Sequence, residues 1–313
     1  MKALKRRLCH IYLSAQDKQI KGGYKMLTNK VAIITGANQG LGLEIAKKYA
    51  AAGANLMLCA RNEVLLDSAL KEIKKYIAND QIVLAQQVDI SKEKEVSGVV
   101  ESTLKQLGSC HILVNNAGIY GPKGNVEDLD WDEWIKAIEI NVYGSVLMCR
   151  ELIPHFKKQH YGKVIQLSGG GATNPLPKIS AYAVSKAAIV RFAETLAEEV
   201  RGLGIDVNAL APGALNTRML EEVLMAGPEV VGKDFYERSL KQKESGGASI
   251  DRAAELALFL ASSHSDGITG KLISAAWDNW EDWPSHISEL NRTDAFTLRR
   301  IVGRDRNIDW GDK

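Results

Sequence analysis

A chain of 313 residues with 45% hydrophobic side chains can bury a sizeable core, as one large domain or two small ones. Its formal charge of +2, with lysine and arginine dispersed along the sequence, gives nucleic-acid binding no electrostatic support. No apolar run is long enough to span a membrane, and the four cysteines (Cys9, Cys59, Cys110, Cys149) show neither metal-ligand nor disulfide spacing.

Cysteines so dispersed, with Cys59 inside an apolar run, read as free thiols in a reduced, cytoplasmic protein. Residues 1–25 are basic at the start and free of acids until Asp17, but their short apolar stretch is broken by His10. That argues against a secretory signal. We expect a disordered extension, or residues after an upstream start, preceding a domain that opens at Met26; a targeting segment is the alternative.

From Val31 onward, short β-branched runs alternate with longer helical patterns. VAIIT precedes a helix through LGLEIAKKYAAAG, and ANLMLCA precedes one through EVLLDSALKEIKKYIA. QIVLAQQV leads to a helix around KEVSGVVESTLKQL, and HILVNN to a long helical pattern from Trp131 to Gln159. KVIQLS is followed by a helix from about Ala181 to Arg201, IDVNALAP is a further strand, and GKLISA closes the series after a helix at Arg252–Ser262. Continuous apolar strands between helices predict a doubly wound α/β domain with a parallel, Rossmann-type sheet, a single domain over residues 26–275.

Two segments break the alternation. Residues 214–250 are polar and weakly periodic and follow the carboxyl end of a strand, so they read either as a lid over substrate or as an ordinary surface excursion. The tail over 276–313 carries Trp277, Trp280 and Trp283 at three-residue intervals. If helical, these share one side, either packed on the domain or a partner subunit, or forming a stacking platform for substrate.

The chemistry concentrates in a few short motifs. TGANQGLG, with Gly36, Gly40 and Gly42, follows the first strand and opens a helix. Glycines there let the backbone approach a pyrophosphate at the helix N-terminus. The second strand ends in CARN, which puts Arg61 where NAD sites carry a carboxylate. A guanidinium pairs with a 2′-phosphate, so NADP(H) is favoured; Glu63 and Gln39 leave NAD(H) possible. Tyr182 and Lys186, four residues apart, share one helix face, and a nearby ammonium is expected to lower the tyrosine pKa.

Together with Asp89, NNAG, Asn141 and YAVSK, these motifs resemble the short-chain dehydrogenase/reductase family over roughly residues 29–275, in the family's order. The resemblance implies a cofactor turn of Gly36, Asn38, Gln39, Gly40 and Leu41. It also implies that Asp89 holds the adenine amine, and that Asn116, with Ala117 and Gly118, lies on the adenosine side. Pro212, Gly213 and Thr217 match the segment at the nicotinamide end. Tyr182 is then the proton donor, Lys186 binds ribose, and Asn141 holds a water in the proton relay. The family's catalytic serine falls at Gly169 when aligned without gaps, with Ser168 one residue early. A one-residue slip turns a strand side chain to the opposite face, though the backbone can bend at a strand's end. Either Ser168 turns inward to hold the carbonyl or the position is empty.

The implied activity is interconversion of a carbonyl and a secondary alcohol on a small molecule, with no metal, by a homodimer or homotetramer formed through the long helices after the fourth and fifth strands. The rival is a cofactor-binding sensor or scaffold with little catalysis. Sugar-nucleotide chemistry also fits the family's range.

Overall fold

Seven strands form one parallel sheet in the order β3-β2-β1-β4-β5-β6-β7. They are β1 (Val31–Thr35), β2 (Asn55–Ala60), β3 (Val83–Gln87), β4 (Ile112–Asn115), β5 (Gly162–Leu167), β6 (Ile205–Ala211) and β7 (Leu272–Ser274). The computed structural model describes residues 26–78 and 80–310. The extension expected over residues 1–25, with Cys9, lies outside the described residues. Among the described residues no helix is long and apolar enough to cross a membrane.

Each strand is joined to the next by at least one helix, as parallel pairing requires. In chain order the helices are α1 (Gly40–Ala51), α2 (Glu63–Ile73), α3 (Glu93–Leu107), α4 (Trp131–Ile138), α5 (Gly144–Gln159) and α6 (Ser180–Glu199). Beyond β6 come α7 (Arg218–Ala226), α8 (Pro228–Val231), α9 (Lys233–Ser245) and α10 (Ile250–Ala261), and the tail adds α11 (Ile287–Arg292). The central strands β1, β4 and β5 are buried along their whole length, which is why their sequences are continuous apolar runs rather than alternating ones. One core layer packs α1 and α10 on the sheet, and the other packs α3, α5 and α6. Cys59, Cys110 and Cys149 are buried free thiols.

The chain order reverses between β1 and β4, which pair through Ala32–Ile112 and Ile33–Leu113. Ligands of open α/β sheets bind outside the carboxyl ends at such a point. Several elements differ from the sequence reading. The helix begun at Glu63 stops at Ile73, and the final strand shortens to three residues. The Trp131–Gln159 pattern is interrupted by a π-helical turn at Glu139–Tyr143, which contains Asn141. Residues 214–250, weakly periodic in sequence, contain the three helices α7 to α9.

The three tail tryptophans do not share one side. Trp280 and Trp283 are buried in the α1/α10 layer, where Trp280 lies 5.2 Å from the Phe259 ring and the Arg252 guanidinium lies 4.3 Å over its face. Trp277 is 88% exposed. The 3-10 turn Trp280–His286 leads into α11, and the chain then runs along the sheet's last edge, where Leu272 N–H donates to Phe296 O at 2.8 Å. An exposed strand edge is thereby covered.

Candidate active site

A cavity of about 670 Å³ opens at the carboxyl ends of the strands, bounded by the turns after β1, β2, β4, β5 and β6 and by α7 and α9. Gly36, Asn38, Gln39, Gly40 and Leu41 line one end, with Arg61 and Asp89 beside them. Asn116, Ala117 and Gly118 form the middle, Ser168, Tyr182 and Lys186 the far wall, and Pro212, Gly213 and Thr217 the opposite lip. Asn141 stands behind the wall, 1% exposed.

The nucleotide end is made chiefly by backbone. Gly36 has φ +64°, and a Cβ there would meet Ala117 Cα at 2.9 Å. A Cβ at Gly42 would sit 2.3 Å from Gly36 O and 2.4 Å from Asn116 Nδ2, so the helix can start against the turn only without a side chain. Asn116 Nδ2 donates to Thr35 O at 2.9 Å and Gly36 O at 3.1 Å, and Thr35 Oγ1 accepts from the Asn116 and Ala117 N–H groups. These bonds hold the glycine turn and the NNAG loop as one unit. The resulting cradle, at the N-terminus of α1, fits a dinucleotide pyrophosphate.

Arg61 is exposed on the cavity rim. Its carbonyl accepts from Gln87 Nε2 at 2.8 Å, while Asn62 caps α2 through Leu65 N–H at 2.9 Å, so the backbone carrying the guanidinium is held from both sides. Glu63 opens α2 and lies off the cavity wall. Asp89 uses Oδ1 for Ser91 N–H and Oγ–H, at 3.0 and 2.8 Å.

At the chemical end, Tyr182 and Lys186 lie in the first two turns of α6, both buried. Lys186 Nζ donates to Leu167 O at 2.7 Å and stands 5.5 Å from the Tyr182 ring centroid. The expectation that Lys186 lowers the tyrosine pKa is corrected. Burial, followed by the neighbouring Tyr120, raises Tyr182 above the ordinary phenol value, while burial pushes Lys186 down to about 8. Desolvation penalises both charged forms, and an ammonium already bonded to a carbonyl does not offset it.

Asn141 Oδ1 accepts Ile119 N–H at 2.9 Å, and its Nδ2 donates to Ile119 O at 2.8 Å and Ser185 Oγ at 2.9 Å. The π-helical turn thus fixes the loop after β4 against α6. Ser168 is 3% exposed, and its Oγ is covered and has no hydrogen-bond partner. Gly169 faces Tyr182 directly: a Cβ there would lie 2.2 Å from the Tyr182 hydroxyl oxygen.

The residues expected from the sequence line this cavity, with Asn141 behind its wall, but those that close it were not among them. Tyr120, Leu176, Met219, Val223 and Phe235 make an apolar face beside Tyr182. Trp277 stands at the rim. Tyr120 was within reach, because it lies two residues after NNAG. Met219, Val223 and Phe235 reach the site only through the packing of α7 to α9.

Residues 30–226 match the family model for short chain dehydrogenases. The chain belongs to the short-chain dehydrogenase/reductase family. It is an NAD(P)-dependent oxidoreductase acting on alcohol or carbonyl groups. It is 29% identical to dehydrogenase/reductase SDR family member 4 of Sus scrofa over 249 residues, covering 80% of this chain and 86% of that one. Levodione reductase superposes with a TM-score of 0.73 at 26% identity, covering 83% of this chain and 99% of its own. The 3-ketoacyl-(acyl-carrier-protein) reductase of Brucella melitensis, solved with NADH, gives 0.69 at 32% identity, covering 79% and 97%.

Proposed function

We propose that this short-chain dehydrogenase/reductase interconverts an uncharged ketone and its secondary alcohol, with NADP(H) preferred over NAD(H). The observation that carries the reading is the placement of Tyr182. Its hydroxyl borders a cavity that has an apolar wall at one end and a glycine cradle with Arg61 at the other.

A nicotinamide dinucleotide in the cradle would supply or remove the hydride. Gly36, Asn38, Gln39, Gly40 and Leu41 would hold its pyrophosphate side, Asp89 its adenine amine, and Asn116, Ala117 and Gly118 its adenosine side. Pro212, Gly213 and Thr217 would flank the nicotinamide end. Arg61 would pair with a 2′-phosphate, and Glu63 is not among the residues lining the cavity there. A relative solved with NADH keeps NAD(H) in view.

In reduction, Tyr182 donates its proton to the developing alkoxide; in oxidation it accepts one. Lys186, in the next turn of α6, would bind the cofactor ribose. The Asn141 side chain is occupied by Ile119 and Ser185, so a relay water would rest on its carbonyl oxygen, which also accepts from Ser145 Oγ. Ser168, one residue ahead of the family position, brings a buried, unpaired hydroxyl to the same wall. Assembly through the long helices α5 and α6 would cover Tyr143 and Val184, exposed by 55% and 50%.

Tyr182→Phe tests the reading. NADPH affinity, followed by nucleotide fluorescence, should stay within about twofold while turnover falls by about 100-fold or more. Undiminished turnover in that variant would remove Tyr182 from the chemistry. Glycine at the serine position favours the rival reading, a sensor or scaffold, which would show tight NADPH binding and no turnover across a broad carbonyl panel.

A further inference from the structure

A carbonyl held by Tyr182 alone lacks its second hydrogen-bond donor, and the structure restricts where that donor can come from. Residue 169 cannot supply it, since the Tyr182 hydroxyl occupies the space a side chain there would need. Ser168 Oγ is covered and has no hydrogen-bond partner, so in this arrangement a substrate oxygen does not reach it. Tyr120 also borders the cavity and packs on Tyr182. The two rings meet edge to face, with centroids 4.7 Å apart and planes at 63°.

We propose that the Tyr120 hydroxyl is the second donor to the substrate oxygen, taking the part that a serine at position 169 would otherwise play. This rests on the carbonyl/alcohol reading above and goes beyond it. Three features of the site argue for it. Tyr120 lines the cavity, and among the described residues its hydroxyl has no hydrogen-bond partner. Its backbone is held on both sides: Asn141 bonds both polar groups of Ile119, and Gly121 packs so tightly on α4 that a Cβ would lie 2.7 Å from Ala137 Cβ. With the backbone on both sides held, the ring carrying the hydroxyl has little room to shift as charge develops on the oxygen. Burial, with Glu222 of α7, also pushes the Tyr120 phenol up to about 12. It therefore stays a neutral O–H donor wherever the enzyme works.

The arrangement also accounts for the glycine. With the second donor on the Tyr120 side, a side chain at 169 would only displace Tyr182 from its partner. The prediction is that Gly169→Ser lowers turnover rather than restoring a missing group.

Tyr120→Phe keeps the ring and its edge-to-face packing and removes only the hydroxyl, so folding is not at issue. The full-length protein would be assayed with NADPH on cyclohexanone, acetophenone and 2,3-butanedione, using the fastest of the three, beside Tyr182→Phe and Ser168→Ala. We expect kcat to fall by about 100-fold in Tyr120→Phe, as for loss of one oxyanion donor, with NADPH affinity and melting temperature unchanged. A fall of less than tenfold overturns the assignment. Loss in Ser168→Ala with little change in Tyr120→Phe also overturns it and moves the donor to Ser168. Absence of wild-type turnover on all three ketones, or full activity in Tyr182→Phe, overturns the carbonyl reading itself, and the assignment with it.

Discussion

The two ends of the cavity are built by different means. At the nucleotide end the contacts are chiefly backbone: Gly36 in a left-handed turn, Gly42 against Gly36 O, and Asn116 bracing both strands' ends. At the substrate end the wall is made of side chains from four separated segments, with Tyr120, Leu176, Val223 and Phe235 meeting beside Tyr182. The elements differ as well. The nucleotide end sits on buried central strands, whereas the substrate end is closed by α7 to α9, which pack on Tyr182 through Val223 and Val231 and carry the ion pairs Lys123–Glu222 at 3.8 Å and Lys243–Glu221 at 2.8 Å. A backbone site can serve one ligand across a whole family. A side-chain site can be changed for each substrate without disturbing the sheet.

That contrast is broken most severely at Gly42. A methyl group there meets both Gly36 O and Asn116 Nδ2, so Gly42→Ala should abolish measurable NADPH binding. Overpacking of this kind also costs about 1–3 kcal/mol of stability, visible as a lower melting temperature. Retained affinity would show that the turn is pliable and the two ends alike.

Arg61→Asp tests the cradle more gently. A charge-assisted contact to phosphate contributes roughly 1.5–3 kcal/mol, so NADP affinity should fall about ten- to hundredfold while NAD affinity holds or rises. An unchanged ratio of the two would place Arg61 outside the nucleotide site.

The smallest effect concerns pH and joins the two ends. Burial lowers Lys186 to about 8. The ammonium is present below that value and lost above it, and bound nucleotide would favour the charged form. NADPH affinity should therefore be flat below about pH 7 and weaken as pH rises through 8, by no more than tenfold per unit for one proton. In Lys186→Met the titration should disappear. A wild-type profile flat to pH 9.5 would show that Lys186 does not touch the nucleotide.

How much could be read without coordinates follows the same division. The parallel sheet was legible because a strand buried on both faces must be apolar throughout, as VAIIT and HILVNN are. The cradle was legible because close backbone approach demands glycine at fixed places. Tyr182 and Lys186 were legible because helical spacing puts them on one face. The pKa of Tyr182 was not, since a neighbouring charge can be inferred from spacing while desolvation depends on everything packed around the ring. Nor could the three tail tryptophans be sorted. Spacing gave them one side, and packing buried Trp280 and Trp283 while leaving Trp277 at the cavity rim.

By itself, then, the sequence determined the sheet, the glycine cradle and the Tyr182–Lys186 pair, all of which follow from local periodicity and backbone sterics. Only the tertiary structure decided that Gly169 lies flush against the Tyr182 hydroxyl, that Ser168 is covered, and that Tyr120 meets Tyr182 edge to face. Tyr120 and Tyr182 are 62 positions apart in the sequence, and Gly169 meets Tyr182 across a loop of glycines and prolines; no local pattern encodes the distance between groups brought together by packing.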